Sequence, residues 1–193
     1  IAMDVSSGKL DIGKAKSECP ATGGLGRIFE PSTNALICTG DGLALAYDVG
    51  ASLMDMEMIQ YHPTGLAGNG ILLSEGARGE GAYLLNSNGE RFMERYAPNT
   101  KDLASRDVVS RAMAQEILEG RGCGLNQDYI KLKMDHLEPG VIHKRLPGVV
   151  ELSKAFAHVD PAVDPIPVVP TCHYMMGGVP TNINGQVITL KNG

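Results

Sequence analysis

The sequence predicts an α/β or α+β fold, and three observations carry that prediction. Positions 102–119 bear one apolar stripe at helical period, with Val109, Ala112, Met113 and Ile117 at i, i+3, i+4 and i+8. Asn88-Gly89 stands between two apolar runs, a strong hairpin signal because both central residues of such a turn need φ > 0. Glycine supplies 24 of the 193 residues, well above the average of about 7%, which implies many tight turns or close backbone approaches to a ligand.

Taken in order, residues 1–5 alternate weakly as a strand, and Ser7-Gly8 marks a turn. Ala21-Thr22-Gly23-Gly24-Leu25-Gly26 and Thr39-Gly40-Asp41-Gly42 are glycine-rich loops. The second opens a small-residue helix over 43–49, which Gly50 ends as a cap. Met54, Met56 and Met58 alternate with acidic residues as on a half-buried strand running into Gln60-Tyr61-His62-Pro63-Thr64-Gly65. Met54 and Met56, like the pair Met175-Met176, read as core fillers. A short apolar strand over 70–73 leads to Ser74-Glu75-Gly76-Ala77-Arg78-Gly79-Glu80-Gly81, and 82–86 with 90–96 form the arms of the hairpin. Gly120-Arg121-Gly122 stops the helix of 102–119. A second helix is predicted over 147–157, with Pro147 in its first turn and Val149, Val150, Leu152 and Phe156 towards the core. Pro161, Pro165, Pro167 and Pro170 make a stiff extended connector to Thr171-Cys172-His173-Tyr174-Met175-Met176-Gly177-Gly178.

A net charge of −5 argues against nucleic acid as a partner, whose footprint is a basic surface. Hydrophobic residues at 43% and charged residues at 20% exclude bulk disorder. No apolar run approaches the roughly 20 residues of a membrane-spanning helix. Cys19, Cys38, Cys123 and Cys172 are scattered, with no Cys-x-x-Cys pair and no His at finger spacing, so no metal site is expected; four free thiols suit a reducing compartment. The chain opens at Ile1 without a signal-sequence pattern and reads as a piece of something longer.

Arg106 falls on the apolar side of its helix, at helical spacing from Val109, Met113 and Ile117, whereas Arg111 faces solvent. A guanidinium on a buried face needs an anion, either in an internal salt bridge or as a bound ligand, and both readings stay open. Glu75 and Arg78 sit three apart among glycines, as a surface ion pair or a functional loop. His62 precedes Pro63, which pushes it towards extended backbone, and His173 lies shortly before Gly177-Gly178; each is a packed histidine or a catalytic one. His136, His143 and His158 carry no functional reading. The loop at 21–24 has backbone N–H groups suited to a phosphate or flavin, but no complete dinucleotide fingerprint is present.

Seven motifs in order carry a resemblance: Ala-Thr-Gly-Gly at 21–24, Thr-Gly-Asp-Gly at 39–42, Gln-Tyr-His-Pro-Thr-Gly at 60–65, Ser-Glu-Gly-Ala-Arg-Gly-Glu-Gly at 74–81, Asn-Gly-Glu-Arg-Phe-Met at 88–93, Arg-Asp-Val-Val at 106–109 and His-Tyr-Met-Met-Gly-Gly at 173–178. Together they resemble the flavoprotein subunits of the succinate dehydrogenase / fumarate reductase / aspartate oxidase family. The stretches 92–107 and 170–178 lean towards the succinate dehydrogenase branch, bacterial more than mitochondrial.

The resemblance implies an α+β capping domain, residues 55–170, inserted into an incomplete FAD-binding α/β domain whose flanking pieces are 1–54 and 171–193. It implies a pocket for succinate or fumarate between them. His62, Ser74, Glu75 and His173 match the substrate-carboxylate contacts. Arg106 matches the arginine that moves the proton while a hydride passes to or from FAD, with Glu75 and Arg78 as the relay to solvent. Ala21, Thr22, Gly23, Gly24 and Asp41 fall in loops that touch FAD. The implied partners are an iron–sulfur subunit and membrane anchor subunits, and the implied location is the cytoplasmic face of the bacterial inner membrane, ahead of the mitochondrial matrix face. The family's amino-terminal fingerprint, flavin-linking histidine, second substrate arginine and carboxy-terminal helical domain have no counterpart in this sequence, so the expectation is a fragment inactive by itself. The rival readings are fumarate reductase, L-aspartate oxidase, or a non-catalytic dicarboxylate-binding capping domain.

Overall fold

In the computed structural model, which describes residues 1–189, the chain opens with a small hairpin, β1 (Ala2–Met3) against β2 (Leu10–Asp11). A 3-10 turn at Gly26–Ile28 and helix α1 (Asp41–Asp48) follow. Next come β3 (Ile59–Leu66), the single-turn helix α2 (Gly76–Gly79), β4 (Tyr83–Leu85), α3 (Met93–Tyr96) and a 3-10 turn at Lys101–Leu103. Helix α4 (Arg106–Leu118) leads to β5 (Ile130–Lys133) and α5 (Pro139–Arg145). Helix α6 (Pro147–Leu152) runs into a π turn at Ser153–Ala157, and β6 (Ile166–Met175) closes the main sheet. That sheet is antiparallel throughout, in the order β3-β6-β5-β4.

The hydrophobic core is one cluster, and every buried member of it lies between Leu66 and Val168. Helix α4 lays Val109, Ala112 and Met113 against it, and the α4 stripe read from the sequence is the stripe that is buried. Arg111 points to solvent as expected, paired among the described residues with Asp107. Strands β3 and β6 approach so closely that a Cβ on Gly65 would stand 2.7 Å from the Thr171 side chain, which explains a glycine in mid-strand. By contrast α1 buries none of its side chains among the described residues.

Several sequence expectations are corrected. The methionine run is not a strand: Asp55 adopts φ 53, which breaks the extended chain, and Met54 and Met58 are half exposed. Met176 is likewise half exposed, and Met56 and Met175 are only partly buried, so none of the four expected core fillers joins the core. The turn at Asn88-Gly89 forms, with Gly89 at φ 74, but the return arm coils into α3 and β4 pairs with β5 instead. Phe92 and Met93 are both fully buried; a strand would send consecutive side chains to opposite faces, whereas a helical turn brings both onto the core. Residues 70–73 give only an isolated bridge from Leu72 to Gly65. The long helix starts at 106 rather than 102, because Lys101 takes φ 48 and Asp102 turns its side chain back onto β4. Helix α5 was not foreseen, and Phe156 is 52% exposed rather than core. The proline-rich connector turns at 161–164 and extends only from Ile166, as an inner strand of the sheet; Pro170 is tolerated there because it falls at the register shift between the His62 and Gly65 pairings.

The far end of α4 is held by a buried carboxylate. Glu116, with no exposure, accepts hydrogen bonds from Arg121 Nε and Nη2 and from Arg95 Nη2, each 2.7 Å, and from Tyr96 Oη and Asn86 Nδ2, each 2.8 Å. Arg121 above all, with Asn86, Tyr96 and Arg95, pulls its pKa down to about 2. Replacing Glu116 by Ala removes the acceptor shared by two guanidiniums, Asn86 and Tyr96, although Arg121 keeps Glu119, and Arg95 and Asn86 keep Glu90. The expected cost is about 1–3 kcal/mol, read as a fall in the urea-unfolding midpoint; a midpoint within error of the parent would refute the clamp.

Candidate active site

One cleft of about 560 Å³ collects four of the candidate residues, His62 from β3, Ser74 and Glu75 from the turn before α2 and Arg106 at the start of α4, and adds Arg145 with Pro147 where α5 meets α6. Glu75 is its hub. Its Oε2 accepts from Arg106 Nη2 at 2.9 Å and Nε at 3.1 Å, while its Oε1 accepts from Arg78 Nη2 at 2.8 Å. Arg106 Nη1 also donates to Gln60 Oε1 at 2.9 Å. The Arg106 side chain is one-third exposed and Arg78 is 2% exposed, so the first faces the cleft and the second lies beneath it.

Arg106 reaches the cleft because Ser105 at the helix start has extended backbone, with ψ 152, and because Ser110 Oγ ties the helix to Tyr61 O of β3 at 3.1 Å. Both readings of Arg106 therefore meet in one geometry: an internal salt bridge whose guanidinium still borders open space.

His62 is 1% exposed, and its Nδ1 accepts the Thr64 backbone N–H at 3.2 Å, which leaves the proton of the neutral ring on Nε2. The Thr64 hydroxyl donates to Leu73 O at 3.0 Å and so pins this corner to the next loop. His173, on β6, stands edge-on to His62 with ring centroids 5.3 Å apart, and its Nδ1 lies 2.8 Å from Thr33 Oγ1. The segment 31–34 orients it: Cys172 N–H donates to Pro31 O, Thr33 N–H to Cys172 O, and Asn34 Nδ2 to His173 O. Ser74 is exposed at the cleft, its Oγ accepting the Gly76 N–H at 3.2 Å.

Burial, then Arg106, His173 and Arg78, push His62 down to about 4. Burial and Arg106 move His173 the same way. Arg106, through its hydrogen bonds, holds Glu75 below the usual carboxylate range, and burial lowers Arg78. At neutral pH the site thus offers guanidinium cations, one ionised carboxylate and two neutral imidazoles. It is suited to an anion that also needs hydrogen-bond donors.

The flavin-loop candidates lie outside that lining. Ala21, Thr22, Gly23 and Gly24 approach Asp41 through a close loop contact: Gly40 N–H donates to Gly24 O at 3.1 Å, and a Cβ on Gly42 would collide with Thr22 Oγ1 at 1.8 Å. Thr39 Oγ1 donates to Asp41 Oδ2 at 2.9 Å. Among the described residues, the N–H groups of Thr22, Gly23 and Gly24 have no hydrogen-bond acceptor. Gln60 and Arg145 are site residues that the sequence reading missed. Gln60 stands inside a quoted motif, and its spacing of two from His62 on a strand was the available signal; Arg145 carried none, because α5 itself was not foreseen.

A family model described as FAD binding domain matches residues 5–193. The chain belongs to that family. Over 194 residues it is 53% identical to the succinate dehydrogenase flavoprotein subunit of Coxiella burnetii, covering all of this chain and 33% of that protein. It is 43% identical to the fumarate reductase flavoprotein subunit of Escherichia coli, over 95% of this chain and 33% of the relative. A solved quinol-fumarate reductase with menaquinol molecules superimposes with a TM-score of 0.81 at 44% identity, covering 86% of this chain and 31% of that one. The chain thus spans about a third of the length of the relatives it matches.

FAD is the cofactor that membership in the FAD-binding family implies. The loops at 21–24 and 39–42 fit it, since they pair free backbone donors with a glycine, Gly42, that allows the close approach. The match runs through the whole of 5–193 and assigns that length to an FAD-binding domain, without marking a division at 55 or 170.

The imidazole of His62 predicts an acid-side loss of stability. Its folded value, about 4, lies below the ordinary 6.5, so the unfolded chain binds more protons between those values and stability rises with pH there. The contribution, on the order of 3 kcal/mol, is fully present above about pH 6.5 and lost as pH falls towards 4. Thermal unfolding between pH 7 and 4 should show this loss, and His62→Gln should flatten it; an equally steep slope in that variant would refute the assignment.

Proposed function

We propose that the chain is the capping domain, residues 55–170, with flanking pieces 1–54 and 171–193 of the FAD-binding domain, from a flavoprotein subunit that oxidises succinate to fumarate. The last four residues of the second piece lie outside the described ones. The observation that carries this reading is the shared carboxylate: Glu75 holds Arg106 at the cleft and Arg78 beneath it, beside two neutral imidazoles. A core built only from residues between 66 and 168 supports the domain division.

The dicarboxylate's charge is met by Arg106, and its oxygens accept from His62 Nε2–H, His173 and Ser74. Arg106 first yields a proton to Glu75, from which Arg78 continues the path away from the cleft, and the neutral guanidine so formed takes the proton that leaves the substrate carbon. FAD, when bound against Ala21, Thr22, Gly23, Gly24 and Asp41, supplies the acceptor for the hydride. The wider subunit works with an iron–sulfur subunit and membrane anchor subunits, at the cytoplasmic face of a bacterial inner membrane. No helix among the described residues is long and apolar enough to cross a membrane, which accords with a peripheral place.

The identity to the E. coli fumarate reductase subunit favours one second reading, the same pocket run towards succinate. Comparing steady-state rates of the complete flavoprotein in both directions, with aspartate as a further substrate, separates these readings. Arg106→Gln in that protein should cut turnover at least a thousandfold, on the order of the loss of an essential proton-transfer group, with bound FAD unchanged; unaltered turnover would remove Arg106 from the chemistry. The 193-residue chain alone should neither retain FAD through gel filtration nor reduce a dye with succinate, because α1 next to the flavin loops buries no side chain. Co-elution of stoichiometric flavin would overturn that expectation.

A further inference from the structure

We propose that Asp102 is a positioning residue for Arg78, and through Arg78 for Glu75 and Arg106. The inference rests on the reading of the cleft given above and extends it to a residue outside the lining.

Arg78 is almost fully buried, yet two hydrogen bonds fix its guanidinium: Nη2 to Glu75 Oε1 at 2.8 Å and Nη1 to the backbone carbonyl of Asp102 at 2.5 Å. Its Nε has no partner among the described residues. The plane of the group is therefore set by one carboxylate that faces the cleft and one carbonyl that does not. Glu75 is itself shared with Arg106, so it cannot hold Arg78 independently of the cleft. The Asp102 carbonyl is the fixed point.

That carbonyl belongs to a single 3-10 turn entered through Lys101 at φ 48, a conformation that non-glycine residues keep only when their surroundings enforce it. The Asp102 side chain supplies the enforcement. It is 2% exposed, its Oδ1 accepts the Leu84 N–H of β4 at 2.8 Å, and its Oδ2 accepts Arg91 Nε at 2.7 Å. Arg91 in turn lies over the Tyr83 ring, 4.7 Å from its centroid. Asp102 thus ties the turn to the sheet and to a second, partly exposed cation. Its charge also makes it the second anion beside a buried guanidinium whose other charged neighbours are Glu75 and Arg106. From the cleft outwards the side chains alternate in sign, Arg106, Glu75, Arg78, Asp102, Arg91.

The test uses the complete, FAD-loaded flavoprotein. Asp102→Ala should lower kcat by about ten- to a hundredfold, the scale of a misplaced catalytic group. KM for succinate should stay within about twofold and flavin content should not change. The solvent deuterium effect on kcat should rise, as expected if proton movement becomes limiting. Unchanged kcat and isotope effect per bound flavin, even with a lowered melting temperature, would reduce Asp102 to a structural role. If Asp102→Ala does not fold, Arg91→Gln at the partly exposed end should give the same isotope signature with a smaller loss, about threefold; no change there overturns the proposal. If the wild-type flavoprotein turns over no dicarboxylate, the functional reading fails by itself. The positional claim is then decided by a crystal structure of Asp102→Ala or Arg91→Gln, where an intact Arg78–Glu75 bond overturns it.

Discussion

The carboxylate of Glu75 divides its two oxygens between two arginines, Oε1 to Arg78 and Oε2 to Arg106, and the geometry of the cleft depends on that division. Arg78 is nearly fully buried, so its charge is costly to carry and must be met by an anion at hydrogen-bond distance. Arg106 borders the cleft, so its charge remains available to a ligand. One acid thus compensates a buried cation while holding an open one in place. Each arginine has one further hold outside that carboxylate, Arg106 on Gln60 Oε1 and Arg78 on the Asp102 carbonyl.

The same balance explains why the two histidines are neutral. His62 is buried and faces Arg106, His173 and Arg78, so protonating it would add a cation to a site already rich in them. A neutral imidazole with Nδ1 engaged by Thr64 can offer only its Nε2–H, a directional donor in place of a diffuse charge. The site draws its affinity for anions from the guanidiniums and its directionality from the imidazoles and Ser74. Pro63 contributes by holding His62 extended, and the register shift opposite Pro170 is where β3 and β6 accommodate both prolines.

Local sequence disclosed those parts of the fold that depend on local rules. The α4 stripe was legible because period and burial agree, and the Asn88-Gly89 turn was legible because its second residue, at φ > 0, selects glycine. What came after that turn was not, since the choice between a strand and α3 is made by Phe92 and Met93 burying together, a tertiary fact. The placement of β6 was hidden for the opposite reason: prolines argue against an inner strand, and only the irregular pairing with β3 makes room for Pro170. Within the site, His62, Glu75, Arg78, Arg106 and His173 stood out by motif, and the structure brings them within one connected neighbourhood. Asp102 did not stand out, because its importance lies in a backbone carbonyl and in partners 11 and 18 residues away.

The long helix joins two charge clusters of different character. At its start, Arg106 shares Glu75 at an open cleft; ten residues on, Glu116 is saturated by five hydrogen bonds and sealed from solvent. A saturated, buried cluster resists change, since any loss breaks several hydrogen bonds at once. A half-open one can exchange partners with a ligand at lower cost. With its far end clamped to α3 and the 86–90 turn, and its middle held to β3 by Ser110, α4 has little freedom to tilt. The guanidinium of Arg106 is therefore left to move by its side-chain torsions alone. That is the freedom a group needs in order to pass between Glu75 and a bound dianion without carrying the fold with it.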